Sequence, residues 1–128
     1  MLRVPTYVAS SDIAGMGLFA GVDLPAGTIV WEFDDRVDWR ISREEFESFP
    51  DPYRSRMGHY VYLDESGIYI LCGDNAKFMN HTDDPNCDDP DGKYTITRRD
   101  IRADEELTCD YTQFDLESRR NGLNFGTL

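Results

Sequence analysis

Glycine, proline, aspartate and asparagine recur so often along this chain that little room is left between them for long regular elements. The intervening runs at residues 28–33, 60–63, 68–72 and 94–97 are rich in β-branched and aromatic side chains. Short runs of that composition, bounded by turn formers, point to many short strands rather than a helical bundle. One helix is well signalled: Ser42 with Glu45 three residues on reads as a capping box, Phe46 and Phe49 share a face, and Pro50 stops the run. A second, shorter helix over residues 75–79 is expected to deliver Asn80 and His81 from its C-terminal end. Periodicity is weak over residues 112–128, which are expected to lack order without a ligand or partner surface.

At 128 residues, with 40% hydrophobic content, the chain is expected to form one domain over residues 1–128. No apolar run approaches the roughly 20 residues of a membrane span, so no membrane partner is expected. The opening Met1-Leu2-Arg3-Val4-Pro5 lacks the apolar stretch of a secretory signal. That absence predicts a reducing compartment, the cytoplasm, with the nucleus left open. Cys72, Cys87 and Cys109 are widely spaced, odd in number and without a Cys-x-x-Cys pair. They read as buried free thiols, with no structural metal. The acidic loop at residues 83–91 fails the calcium-loop template, because its glycine is misplaced and no glutamate closes it. A net charge of -12 repels phosphate backbones, so direct nucleic-acid binding is not expected. A cationic, lysine-rich polypeptide is the partner such a surface attracts.

Three motifs carry the functional signal. Gly15-Met16-Gly17-Leu18-Phe19-Ala20 lies near the start, Lys77-Phe78-Met79-Asn80-His81 continues to Pro85-Asn86-Cys87, and Glu105-Glu106-Leu107-Thr108-Cys109-Asp110-Tyr111 follows. In order and spacing they closely resemble the SET-domain protein lysine methyltransferases, over residues 7–114, with 115–128 as a tail. The resemblance implies a mainly β fold of small curved sheets with short helices and a knot-like C-terminal crossing. It further implies an enzyme that moves a methyl group from S-adenosylmethionine to the ε-amine of a protein lysine. No cysteine follows Tyr111, so the zinc-bound cluster found there in many relatives is not expected.

Residue by residue, the resemblance implies cofactor contacts from Met16, Gly17, Phe78, Asn80 and His81, with Tyr111 as the catalytic residue. Glycines let a backbone approach a ligand closely, and an asparagine amide offers donors and an acceptor suited to a zwitterionic amino acid. Lys77 replaces the family's usual arginine and so loses a planar fork of donors. Phe33, Tyr62 and Cys109 are the expected substrate channel. Phe33 stands where many relatives have tyrosine, and Tyr60, Tyr62 and His59 compete to replace its hydroxyl. Strand alternation puts His59 opposite the two tyrosines. The small Cys109 leaves room for more than one methylation step. An aromatic of the tail, Phe114 or Phe125, is expected to close over the adenine, and a homodimer is one way to complete a substrate groove. The rival reading is a non-catalytic module that keeps the fold and acts through protein contacts.

Overall fold

The computed structural model describes residues 1–121, and Phe125 lies outside the described residues. Among the described residues, ten short strands form four small, open sheets. Strands β1 (Thr6–Ser10) and β2 (Met16–Ala20) make an antiparallel hairpin. Its turn closes through the Ser11 amide donating to the Gly15 carbonyl at 2.9 Å, with Gly15 at a positive φ of 46° that favours glycine. Strand β3 (Ile29–Glu32) pairs antiparallel with β9 (Tyr94–Thr97), which pairs in turn with β8 (Cys87–Asp88). A third sheet sets β6 (Tyr69–Leu71) between β4 (Trp39–Ile41) and β5 (Val61–Leu63). In the fourth, β7 (Asn80–His81) lies parallel to β10 (Thr108–Cys109).

Strands β3, β5 and β6 sit inside the sequence-defined runs, shortened at their ends where hydrogen bonding stops, and β9 fills its run, while the other strands lie outside those runs. Helix α1 (Arg43–Ser48) begins as the capping signal requires: Ser42 Oγ accepts from the Glu45 amide at 3.1 Å. We expect Ser42→Ala to lower the unfolding free energy by about 1 kcal/mol, read as a shifted urea midpoint at unchanged slope. Pro50 ends α1, but the chain restarts at once as α2 (Asp51–Met57), whose first turn tolerates Pro52 because that position needs no amide. The 3-10 turn Asn75–Phe78 occupies most of the expected second helix and leads directly into β7. Residues 112–121 are more ordered than periodicity predicts. A 3-10 turn at Tyr111–Gln113 is followed by α3 (Leu116–Asn121). Asp115, largely buried, anchors α3 by accepting from the Leu63 amide at 3.1 Å.

Two apolar clusters hold the sheets together. Leu18, Val30, Ile101 and Leu107 are almost wholly buried in the larger one, where each leucine contributes about 1.5–3 kcal/mol relative to exposure. The Leu107 amide donates to the Leu18 carbonyl at 2.8 Å, so the first and third motifs meet inside this cluster. Ile41, Leu63 and Tyr69 form the smaller cluster, with Phe46 and Phe49 of the α1 region packed on it. All three cysteines are buried and free.

Candidate active site

The parallel pair β7 and β10 aligns Asn80 with Thr108 and His81 with Cys109. The Thr82 amide extends the ladder by donating to the Cys109 carbonyl at 3.0 Å. Asn86, buried in the second motif, clamps the third: its Oδ1 accepts from the Thr108 amide and its Nδ2 donates to the Glu106 carbonyl, both at 2.8 Å. Segments some thirty residues apart are thereby fixed side by side.

Four oxygens surround the Asn80 amide nitrogen. Ser11 Oγ and the Ala14 carbonyl lie at 3.1 Å, the Met16 carbonyl at 3.2 Å and Glu106 Oε2 at 3.0 Å. All can accept, which fixes the amide's orientation and turns its own oxygen away from them. Ser11 Oγ in turn donates to Glu106 Oε1 at 2.7 Å. Asn80, Ser11 and Glu106 therefore tie the hairpin turn to the third motif. A β-carbon on Gly17 would come within 2.5 Å of Glu106 Oε2, so its bare backbone makes room for that carboxylate.

A chamber of about 480 Å³ opens beside this network, lined by Gly15, Met16, Phe78, Asn80 and His81 among others. A second chamber, of about 490 Å³, is lined by Tyr62, Cys109, Phe114, Trp31 and Asp89. His59, Tyr60, Lys77 and Tyr111 border both. Tyr111 is thus the third motif's contribution to the boundary between two cavities. Its hydroxyl donates to the Met79 carbonyl at 2.6 Å, and its amide donates to His81 Nδ1 at 3.0 Å. The latter bond needs a lone pair on Nδ1, which leaves the other ring nitrogen, 3.4 Å from Asp83, as the protonated one of the neutral ring. Burial, reinforced by Cys109, Asp115 and Glu106, pushes the Tyr111 phenol well above its usual pKa. It therefore keeps its proton at neutral pH and acts as a donor and dipole, not as a base. Asp110 is spent on the backbone, accepting from the Thr112 amide at 2.9 Å.

Of the residues singled out by sequence, the structure brings Met16, Phe78, Asn80, His81 and Tyr111 to the first chamber. Tyr62, Cys109 and Tyr111 meet at the second. Gly17 lines neither and stands behind the first. Phe33 also lines neither: its ring takes the Arg40 guanidinium at 3.9 Å and packs edge-on to Trp31. Phe114 lines the second chamber, wedged between Tyr62 and Tyr111 with ring centroids 5.0 and 5.8 Å away. His59 is not separated from the tyrosines, because it precedes the first residue of β5 and strand alternation does not reach it. Burial, then Cys72 and Asp89, raises the Tyr62 phenol, whose hydroxyl donates to the Gly92 carbonyl at 2.7 Å. Sequence reasoning gave no role to Ser11, Glu106 or Asp89. Glu106 stood inside a quoted motif, whereas Asp89 was hidden among the acids of a loop considered only for calcium.

The fold and site define a class: small open sheets around two adjoining chambers, with a half-buried phenol lining both. Comparison with known proteins agrees, since the SET domain matches residues 15–112. Histone-lysine N-methyltransferase trr of Drosophila melanogaster is 35% identical over 94% of this chain. Histone-lysine N-methyltransferase 2D of Homo sapiens is 34% identical over 91%. The chain spans only 5% and 2% of those relatives' lengths. A solved Plasmodium falciparum structure, named as a histone methyltransferase, superposes with a TM-score of 0.63 at 18% identity, covering 86% of this chain and 95% of that one. The chain belongs to the SET-domain family.

Proposed function

We propose that this chain is a protein-lysine N-methyltransferase that uses S-adenosylmethionine and acts on a basic polypeptide. The observation that carries the reading is the Tyr111 phenol bordering two chambers, one beside Asn80 and His81 and the other walled by Tyr62, Cys109 and Phe114. A reaction between a bulky donor and a slender acceptor needs such a pair of rooms, because correct positioning supplies much of the rate.

The first chamber suits the cofactor in size and chemistry. The Asn80 amide oxygen, directed away from its four acceptors, can receive an α-ammonium, and Lys77 supplies a cation for a carboxylate. When bound, S-adenosylmethionine supplies a methyl group activated on a positive sulfonium. The protein's task is then to bring in a lysine as a neutral amine. A free lysine has a pKa near 10.4, so deprotonation at pH 7 costs about 4.6 kcal/mol. Burial in an aromatic-walled chamber lowers that cost by disfavouring the charged form. The Tyr111 hydroxyl, pinned to the Met79 carbonyl, fixes an oxygen dipole at the boundary without itself ionising.

The chain's -12 charge favours encounter with cationic partners. Incubation with radiolabelled S-adenosylmethionine and a mixture of basic proteins should place label on lysines. The rate should fall with added salt as screening shortens from about 10 Å at 0.1 M to 3 Å at 1 M. Cofactor binding without transfer to any protein in the mixture would favour the non-catalytic module instead.

A further inference from the structure

We propose that Asp89 is the proton acceptor for the substrate lysine, receiving a proton from the incoming ammonium inside the second chamber. The inference rests on the methyltransferase reading for its reaction, but the proton exchange itself concerns only a cavity and an amine.

Asp89 is only 4% exposed, yet it lines this chamber. Its Oδ1 accepts from the Gly92 amide at 2.8 Å and its Oδ2 from the Thr95 hydroxyl at 3.1 Å. A carboxylate has about four lone-pair sites, so two remain. Thr95 is the register partner of Trp31, which also lines the chamber and whose buried indole N–H has no acceptor among the described residues. The inner end of the cavity therefore holds polar groups with unused capacity beneath aromatic walls. No cationic side chain is hydrogen-bonded to Asp89 among the described residues.

The other acids and bases around it are committed or silent. Asp115 is held by the Leu63 amide and the Ser118 hydroxyl, and Glu117 takes the Tyr69 hydroxyl. The facing thiols of Cys72 and Cys109 and the Tyr62 phenol are all raised, chiefly by burial, and stay neutral. Asp91 lies on the same loop and its charge disfavours a second one. Arg54 pairs with Asp51 through a terminal nitrogen, its buried Nε having no acceptor among the described residues, while His59 and Lys77 line both chambers. Burial, partly offset by the Thr95 and Gly92 hydrogen bonds, brings the Asp89 carboxyl up to about 7. It is thus ionised just above neutrality while remaining far more basic than an exposed aspartate.

When a lysine ammonium enters, an N–H bond breaks and an O–H bond forms on Asp89, cancelling both charges. Burying two opposite charges is costly, and the neutral pair escapes that cost. The amine is left with its lone pair free. After the carbon–nitrogen bond forms, the product nitrogen carries the positive charge, and the proton on Asp89 leaves to solvent through the open chamber with product. The net reaction releases one proton.

The test uses full-length protein carrying carbon-13 aspartate, with n-butylammonium chloride as a mimic of the lysine side chain. Slightly above neutral pH, n-butylammonium should move the Asp89 carboxyl signal saturably to its protonated position, while n-butanol should not. A signal that stays put, or shifts while remaining at the ionised position, overturns the proposal. In label transfer, Asp89→Asn keeps an acceptor for the Gly92 amide. It should lower kcat/KM about a hundredfold and abolish the acid limb of its pH profile. The limb should persist in His59→Asn; its persistence in Asp89→Asn overturns the proposal. Carboxyl protonation by n-butylammonium without label transfer to any protein would sink the methyltransferase reading and leave the amine site standing.

Discussion

Tyr111→Phe should cut methyl transfer by about a hundredfold or more while leaving cofactor affinity nearly unchanged. The phenol hydroxyl is held by a 2.6 Å bond to the Met79 carbonyl, so its oxygen is already oriented before any substrate arrives. A preorganised dipole at a site of changing charge is worth about 10²–10³ in rate, because the protein need not reorganise as the reaction proceeds. The ring itself keeps its packing against His81 and Phe114 in the variant. Loss of the hydroxyl also leaves the buried Met79 carbonyl without that donor, which costs about 1–3 kcal/mol of stability. Rates should therefore be measured well below the variant's unfolding transition, alongside the affinity for S-adenosylhomocysteine. A fall in rate matched by an equal fall in affinity would mean that Tyr111 shapes the cofactor chamber only. A rate close to that of the unmodified protein would remove it from the chemistry altogether.

Much of the fold could be read from local rules. The strand run at residues 94–97 is β9 to the residue, because alternating side chains between turn formers leave little choice of register. Ser42 caps α1 as its sequence demands. α2 was missed because Pro50 read as the end of the helical run, although Pro52, in the first turn of the helix that follows, loses no hydrogen bond. α3 was missed for another reason: its order depends on a distant partner, the Asp115 bond to Leu63, which no local window contains.

The site divides in the same way. Asn80, His81 and Tyr111 were legible because motif spacing carries over a geometry that propensity cannot supply, and the β7–β10 ladder realises it. Gly17 was read as a ligand contact, whereas the space at its absent β-carbon belongs to the Glu106 carboxylate. A sequence reports that a side chain must be missing at such a position, but it does not report which neighbour needs the room. Phe33 was placed by analogy with a tyrosine. Without a hydroxyl to hold it at a polar site, its face serves instead as a platform for Arg40. Asp89 was invisible for lack of a burial signal: four other aspartates lie between residues 83 and 91, and only folding sets this one against Thr95 and the chamber.

The largest stability effect is expected at Asn80→Asp, a change that preserves shape and reverses hydrogen-bonding sense. The amide nitrogen of Asn80 faces three protein oxygens that are acceptors by nature or already committed: the Ala14 and Met16 carbonyls and Glu106 Oε2. Ser11 Oγ, the fourth, already gives its proton to Glu106 and accepts from the Ile13 amide, so it cannot turn to help without breaking the turn. An introduced carboxylate would meet acceptors on every side and a like charge about 3.0 Å away. Leaving a partly buried charge uncompensated costs about 3–5 kcal/mol. Asn80→Ala removes the donors but adds no charge, and should cost closer to 1–3 kcal/mol. At pH 7.5 the aspartate variant should therefore unfold first in urea, ahead of alanine, and bind S-adenosylhomocysteine the more weakly of the two. Acid should reverse the order. The fold raises the pKa of the introduced carboxyl above its unfolded value, so the stability it allows is fully present below the unfolded pKa and is lost as pH rises through the folded one. Protonation restores a single donor to the network, which alanine cannot do. If the aspartate variant is as stable as the original protein at pH 7.5, the amide does not hold the hairpin turn to the third motif, and the first chamber owes its shape to something else.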